Sequence, residues 1–207
     1  MPSVTRQRRG VAERRAAVER QVLEAVERLL AGGESFTSLG IQRIAEEAGM
    51  ARTTFYGHFR DKPTLLMRVT DSATQDLFAA SNAWVRDDES TLEQLEQTVF
   101  DLIRGYREHL PLLRAVQEVA AYEPEVEAFW RSTVEGFAEG VRRRLERDVK
   151  AGRVPADLDT RTTAFWVAWG AERTVAVHVA TRPPREDRRT AAGIAAASWA
   201  AMRRAPT

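Results

Sequence analysis

Apolar residues recur every three or four positions along nearly the whole chain, and the two-residue alternation of a half-buried strand is nearly absent. That periodicity limits the chain to α-helices, so the fold class is all-α. Gly, Pro and Asp punctuate it into about nine helices. The first is expected from near Glu13, with Val18, Val22, Val26 and Leu29 on one face and Gly32-Gly33 as its stop. Two short helices follow, near 41–48 and 52–59. Asp61 is placed to N-cap the next, with Pro63 in its first turn. Further helices are expected near 61–85, 91–108, 111–121, 124–150, 162–180 and 186–203.

With 207 residues the chain can bury a core without cross-links, and the absence of cysteine excludes a disulfide scaffold, a thiolate metal site and a thiol nucleophile. No apolar run approaches the ~20 residues of a membrane span. Met1 to Arg20 is too charged for a secretory signal, so a cytoplasmic protein with no membrane partner is expected. The formal net charge of +1 conceals a split. Residues 1–68 hold 12 Lys and Arg against 8 Asp and Glu, whereas the remainder holds 19 against 22. A basic N-terminal part points to a polyanionic partner.

The most informative stretch is 40–62, GIQRIAEEAGMARTTFYGHFRDK. A two-turn helix, a turn holding a glycine and a second short helix form the helix-turn-helix pattern. Ala45 is small where the helices cross, Gly49 suits a left-handed turn, and Ile44 and Phe55 fill the wedge. The second helix then presents Arg52, Thr53, Tyr56 and Gly57 outward, flanked by Thr54 and His58. Arginine bonds phosphate or guanine, hydroxyls reach phosphates, and a bare glycine admits a close backbone approach. An ordinary helical corner with a solvated polar face shares this spacing.

What surrounds that pattern narrows the choice. Ile44-Ala45, Ala48-Gly49, Thr54-Phe55-Tyr56, His58-Phe59, Lys62 and Leu65-Leu66 together resemble the TetR family of bacterial transcriptional repressors, over about residues 13–68. The segment from Phe129-Trp130 through Glu172-Arg173-Thr174 is loosely similar to the subgroup of the ethionamide-resistance regulator. The resemblance implies an N-terminal three-helix head, residues 1–62, that binds double-stranded operator DNA. It implies a helical body, residues 63–207, that binds a ligand and dimerises. By position, Arg52, Thr53, Thr54, Tyr56, Gly57 and His58 would lie on or beside the recognition helix, Lys62 would hold a phosphate, and Arg43 is a further contact from the supporting helix. Two positions depart from the family pattern: Gly40 and Ala51 stand where hydroxyl residues usually cap the two helices and touch phosphate. The arginines Arg6, Arg8, Arg9, Arg14 and Arg15 form a basic arm able to compensate.

The body shows no H-E-x-x-H, G-x-S-x-G or glycine-rich phosphate loop, so no enzyme, no metal and no cofactor are expected. Tyr106, Trp130, Phe137, Phe165, Trp166 and Trp169 are expected in its core. Leu102, Tyr106, Trp130, Phe137 and Trp169 are the candidates to line a pocket for a hydrophobic small-molecule effector. The helix near 162–180 is apolar on most sides and the last is crowded with alanine, which points to a homodimer through the two C-terminal helices. Two other classes stay open: a helical ligand-binding protein or enzyme without DNA function, and an interaction module whose head binds protein.

Overall fold

A computed structural model describes residues 4–87 and 89–203, and it contains α-helices, one 3-10 turn and, among the described residues, no strand. In chain order the helices are α1 (Val4–Ala31), α2 (Ile41–Glu47), α3 (Arg52–His58), α4 (Lys62–Arg86), α5 (Leu92–Glu108), α6 (Leu110–Ala120), α7 (Pro124–Lys150), α8 (Thr160–Thr181) and α9 (Asp187–Arg203), with the 3-10 turn at Pro184–Glu186. Helix α1 begins at Val4 rather than near Glu13. From Val4 to Glu13 the arginine-rich stretch contains no proline, and its one glycine, Gly10, costs a helix only about 1 kcal/mol. The side chains of Arg6, Arg8, Arg9 and Arg14 lie outside the described part. Arg15 pairs with Glu19 one turn on, at 3.2 Å.

The chain divides into two compact units. The first holds residues 1–75 and 111–129. Its core joins Val22, Ala25 and Val26 of α1 to Phe36 and Leu39 of the following loop, Ile44 and Ala45 of α2, Phe55 of α3 and Leu65, Leu66 and Val69 of α4, all buried. Gly33, past the end of α1, and Gly49, between α2 and α3, have φ of +89° and +65°, the left-handed region that side chains resist. Asp61 N-caps α4 as expected, its Oδ1 accepting the Thr64 backbone N–H at 2.8 Å. The two hydrogen bonds from Thr64 lead the causes that pull its pKa down to about 2.

The second unit holds residues 76–110 and 130–207. Helix α5 starts in a capping box in which Thr91 and Gln94 each bond the other's backbone, and it packs on α8 and α9. Phe165 and Trp166, expected in the core, are instead 52% and 54% exposed, and Val177 is 46% exposed. A helix apolar all round needs cover on every side. The described chain covers the α8 face of Val167, Val175 and Val179 and leaves the opposite face open.

A buried ionic cluster fixes how α5 meets the α8–α9 corner. Arg107 on α5 reaches both carboxylate oxygens of Asp187, at 2.8 and 2.6 Å, and also donates to the carbonyls of Val179 and Arg182. His178 Nε2 lies 2.7 Å from Asp187 Oδ1. The Arg107 guanidinium is the main cause holding the Asp187 carboxyl below its ordinary range. Replacing Arg107 by Met keeps the apolar stem and leaves the buried carboxylate with His178 as its remaining partner among those named. This variant is expected to lose about 3 kcal/mol of unfolding free energy. Urea denaturation at pH 7 reads this, and an unshifted midpoint would show that the cluster contributes nothing. Because Asp187 holds its proton less readily folded than unfolded, its contribution in the wild type is present above about pH 4 and fades as the pH falls.

Candidate nucleic-acid interface and body cavity

The seven residues of α3 divide cleanly between core and surface. Phe55 is fully buried and packs on Phe59 with ring centroids 5.1 Å apart. Arg52, Thr53, Thr54, Tyr56 and Gly57 are exposed, and His58 is half-buried. Tyr56 stands edge-on to Phe55 at 5.9 Å, and the Arg52 guanidinium lies 5.5 Å from the tyrosine ring centroid. Buried Phe55 therefore anchors a surface strip made of one cation, three hydroxyls and a bare backbone. The His58 carbonyl is tied by Arg68, whose Nη1 donates to it at 2.8 Å.

The turn that sets α3 against α2 is closed by backbone and by one long-range bond. The N–H groups of Gly49 and Met50 return to the carbonyls of Glu46 and Ala45, and Gln21 of α1 donates to the Ala48 carbonyl at 2.5 Å. Neither Gly40 nor Ala51 supplies a side-chain cap, so both helices start with the hydroxyl missing. Arg43, on the exposed side of α2, pairs with Glu47 at 3.3 Å, and Glu47 also accepts from Arg28 at 2.9 Å. Lys62 folds back: its ammonium donates to the Thr37 carbonyl at 2.9 Å and sits 5.0 Å from the Phe36 ring centroid. Burial lowers the Lys62 pKa, with nearby Glu118 acting the other way.

In the second unit α4, α5, α7 and α8 enclose a cavity of about 20 Å³. Phe78, Ser81, Leu102, Tyr106, Val134, Phe137, Ala168, Ala171 and Glu172 line it. Of the five residues singled out in the sequence, it brings together Leu102, Tyr106 and Phe137. Trp130 is buried elsewhere in the unit, and Trp169 lies beside Phe165 at 6.1 Å. The buried indole N–H of Trp169 finds no acceptor among the described residues. Glu172 is only 8% exposed and accepts a hydrogen bond from the Tyr106 hydroxyl at 3.3 Å. Burial raises the pKa of both groups, and for Glu172 the Tyr106 bond and the charge of Arg173 offset part of the rise.

Two family profiles cover most of this architecture. The bacterial regulatory proteins of the tetR family match residues 23–69, which contain α2, α3 and the turn between them. The C-terminal domain of the transcriptional regulator EthR matches residues 95–201, about half of the chain. The chain is a TetR-family transcriptional regulator. Solved structures share the fold at low identity. GusR of Salmonella enterica superposes with a TM-score of 0.71 at 16% identity, over 90% of this chain and 95% of that one. A TetR-family regulator of Mesorhizobium loti gives 0.66 at 20% identity, over 90% and 97%. FadR of Bacillus subtilis, crystallised with stearoyl-CoA, gives 0.65 at 16% identity, over 88% and 96%.

Membership in the TetR family makes α2, the turn at Gly49 and α3 a DNA-binding helix-turn-helix. The residue that sequence reasoning passed over is Glu172. Its signal was available: it is the one carboxylate in the mostly apolar run from Ala164 to Ala180. The spacing of that run could not say which side of the helix faces a cavity.

The fold itself does not require a glycine at position 57. A Cβ built there meets nothing within 4 Å, and its φ is not positive. Gly57→Ala is therefore expected to stabilise the protein by about 0.5–1 kcal/mol through helix propensity alone. Thermal unfolding checks this, and a lowered Tm would mean that the backbone at Gly57 is needed for the fold.

Proposed function

We propose that this TetR-family regulator is a repressor released from a palindromic operator by a hydrophobic small molecule, and that it works in the cytoplasm. Residues 1–62 form the DNA-binding domain and residues 63–207 the ligand-binding and dimerisation domain. The observation that carries the reading is the exposed polar strip of α3, held in place by the burial of Phe55. Arg52, Thr53, Thr54, Tyr56, Gly57 and His58 lie in or beside a major groove. Arg43 exchanges Glu47 for a phosphate. Lys62 has two N–H bonds left after Thr37 and offers them to the backbone.

A two-fold dimer presents two copies of α3 to successive major grooves. Effector binding to the body, at the cavity that includes Leu102, Tyr106 and Phe137, with Trp130 and Trp169 nearby in sequence terms, favours a form whose heads mismatch the operator spacing. Binding of DNA and effector then oppose each other reciprocally. A lining that is apolar apart from two hydroxyls and the Glu172 carboxylate supports a hydrophobic effector. That no helix of the described residues is long and apolar enough to cross a membrane agrees with a water-filled compartment.

The dimer forms through α8 and α9. Trp166, Gly170 and Thr174, four residues apart, line an open groove of about 720 Å³ opposite Gly193 and Ala197 of α9. Large exposed aromatics facing small residues suit a self-complementary helical interface.

Two measurements test the proposal. Sequences selected from random duplex DNA are expected to be palindromic, and the wild type should lose affinity for them steeply with salt. Tyr56→Ala should bind them about tenfold more weakly or worse. Full affinity in Tyr56→Ala would remove α3 from the interface. Separately, Trp166→Arg is expected to sediment as a folded monomer, and an unaltered dimer would move the interface elsewhere.

A further inference from the structure

We propose that Glu172 makes the body cavity selective for effectors that carry a protonated amine on an apolar scaffold. The inference rests on the reading of that cavity as the effector site, and it adds the chemistry of the ligand. Phe78, Leu102, Val134, Phe137 and the two alanines give the wall hydrocarbon on all four contributing helices. Among the described residues, Glu172 and the Tyr106 phenol are the ionisable groups of the lining, which includes no described lysine, arginine or histidine. The Tyr106 hydroxyl gives the carboxylate a single hydrogen bond. The next residue on α8, Arg173, is exposed and acts on Glu172 through its charge.

A carboxylate in such surroundings is short of positive charge. An ammonium group that enters with the ligand supplies it, forms a charge-assisted hydrogen bond, and leaves the tail of the ligand against Phe78 and Phe137. The Tyr106 oxygen can accept a second ammonium hydrogen while its own O–H goes on donating to Glu172. A neutral ligand brings the carboxylate no further positive charge, and an anionic one places a second negative charge beside it. In the present form the cavity has room for about one water. Phe78 and Phe137 are half-buried, unlike Leu102, Tyr106 and Val134, so rotation of these two rings is the route by which a longer ligand would enlarge it.

Calorimetric titration of the full chain with decylamine, decanol and decanoate, each below its micelle concentration at pH 7, tests this. Decylamine is expected to bind the wild type about tenfold more tightly than decanol. Decanoate is expected to bind weakest. Glu172→Gln should abolish the preference, so that decylamine binds no more tightly than decanol, whereas Tyr106→Phe, which keeps the charge, should retain the amine preference. Equal or tighter binding of decanol or decanoate to the wild type overturns the proposal, as does an amine preference that survives Glu172→Gln. Binding of decanol without preference for the amine leaves the cavity as the effector site and refutes the role of Glu172. Binding of none of the three refutes both. Should Glu172→Gln fail to fold, the wild-type ranking and Tyr106→Phe decide the matter.

Discussion

Burial of Phe55, packed on Phe59 in the core that also holds Ile44, keeps in place a helix that could not form alone. A seven-residue helix in water lies far below the length at which propagation outweighs nucleation. Helix α3 also begins without a side-chain cap. Its position therefore derives from one buried aromatic, from the left-handed turn at Gly49, and from the long-range bond that Gln21 makes to Ala48. Everything that the outer strip of α3 can touch depends on those three supports, and none of them is itself on that strip.

The second unit relies on polar groups buried in an apolar setting. Arg144, almost fully buried, lies 4.0 Å from the Trp84 ring centroid and donates to the Trp84 carbonyl and to Ser90. Asp187 gathers Arg107 and His178. Each of these charges has an opposite partner or several acceptors within reach, as buried ions require. Glu172 differs in having a phenol as its close partner. The contrast within one unit is what gives the Glu172 position its chemical meaning.

The helical order of the chain was legible because apolar spacing and punctuation agree with each other over long segments. The wedge of Ile44, Ala45 and Phe55 and the outward set on α3 were legible too, because a two-turn helix leaves few ways to bury one aromatic. The start of α1 was not, since an arginine-rich stretch has no apolar stripe to count. The exposure of Phe165 and Trp166 was hidden for a related reason: α8 is apolar on several sides, and periodicity cannot choose which side the same chain will cover. The role of Lys62 as a tie to Thr37 depends on a contact 25 residues away, which no local pattern encodes. The clustering of Leu102, Tyr106 and Phe137 around Glu172 needed four helices to be placed together.

Gly57 and the uncapped starts of α2 and α3 have a kinetic consequence. Each of them lowers the local cost of opening, by about 1 kcal/mol or less, in a segment whose helices are already short. Backbone amides of α3 should then exchange with solvent through brief local unfolding more readily than those of α1 or α4. A duplex that accepts only the folded helix draws on the closed fraction of that equilibrium. Its apparent affinity is therefore set partly by how often the segment is intact, before any base is touched.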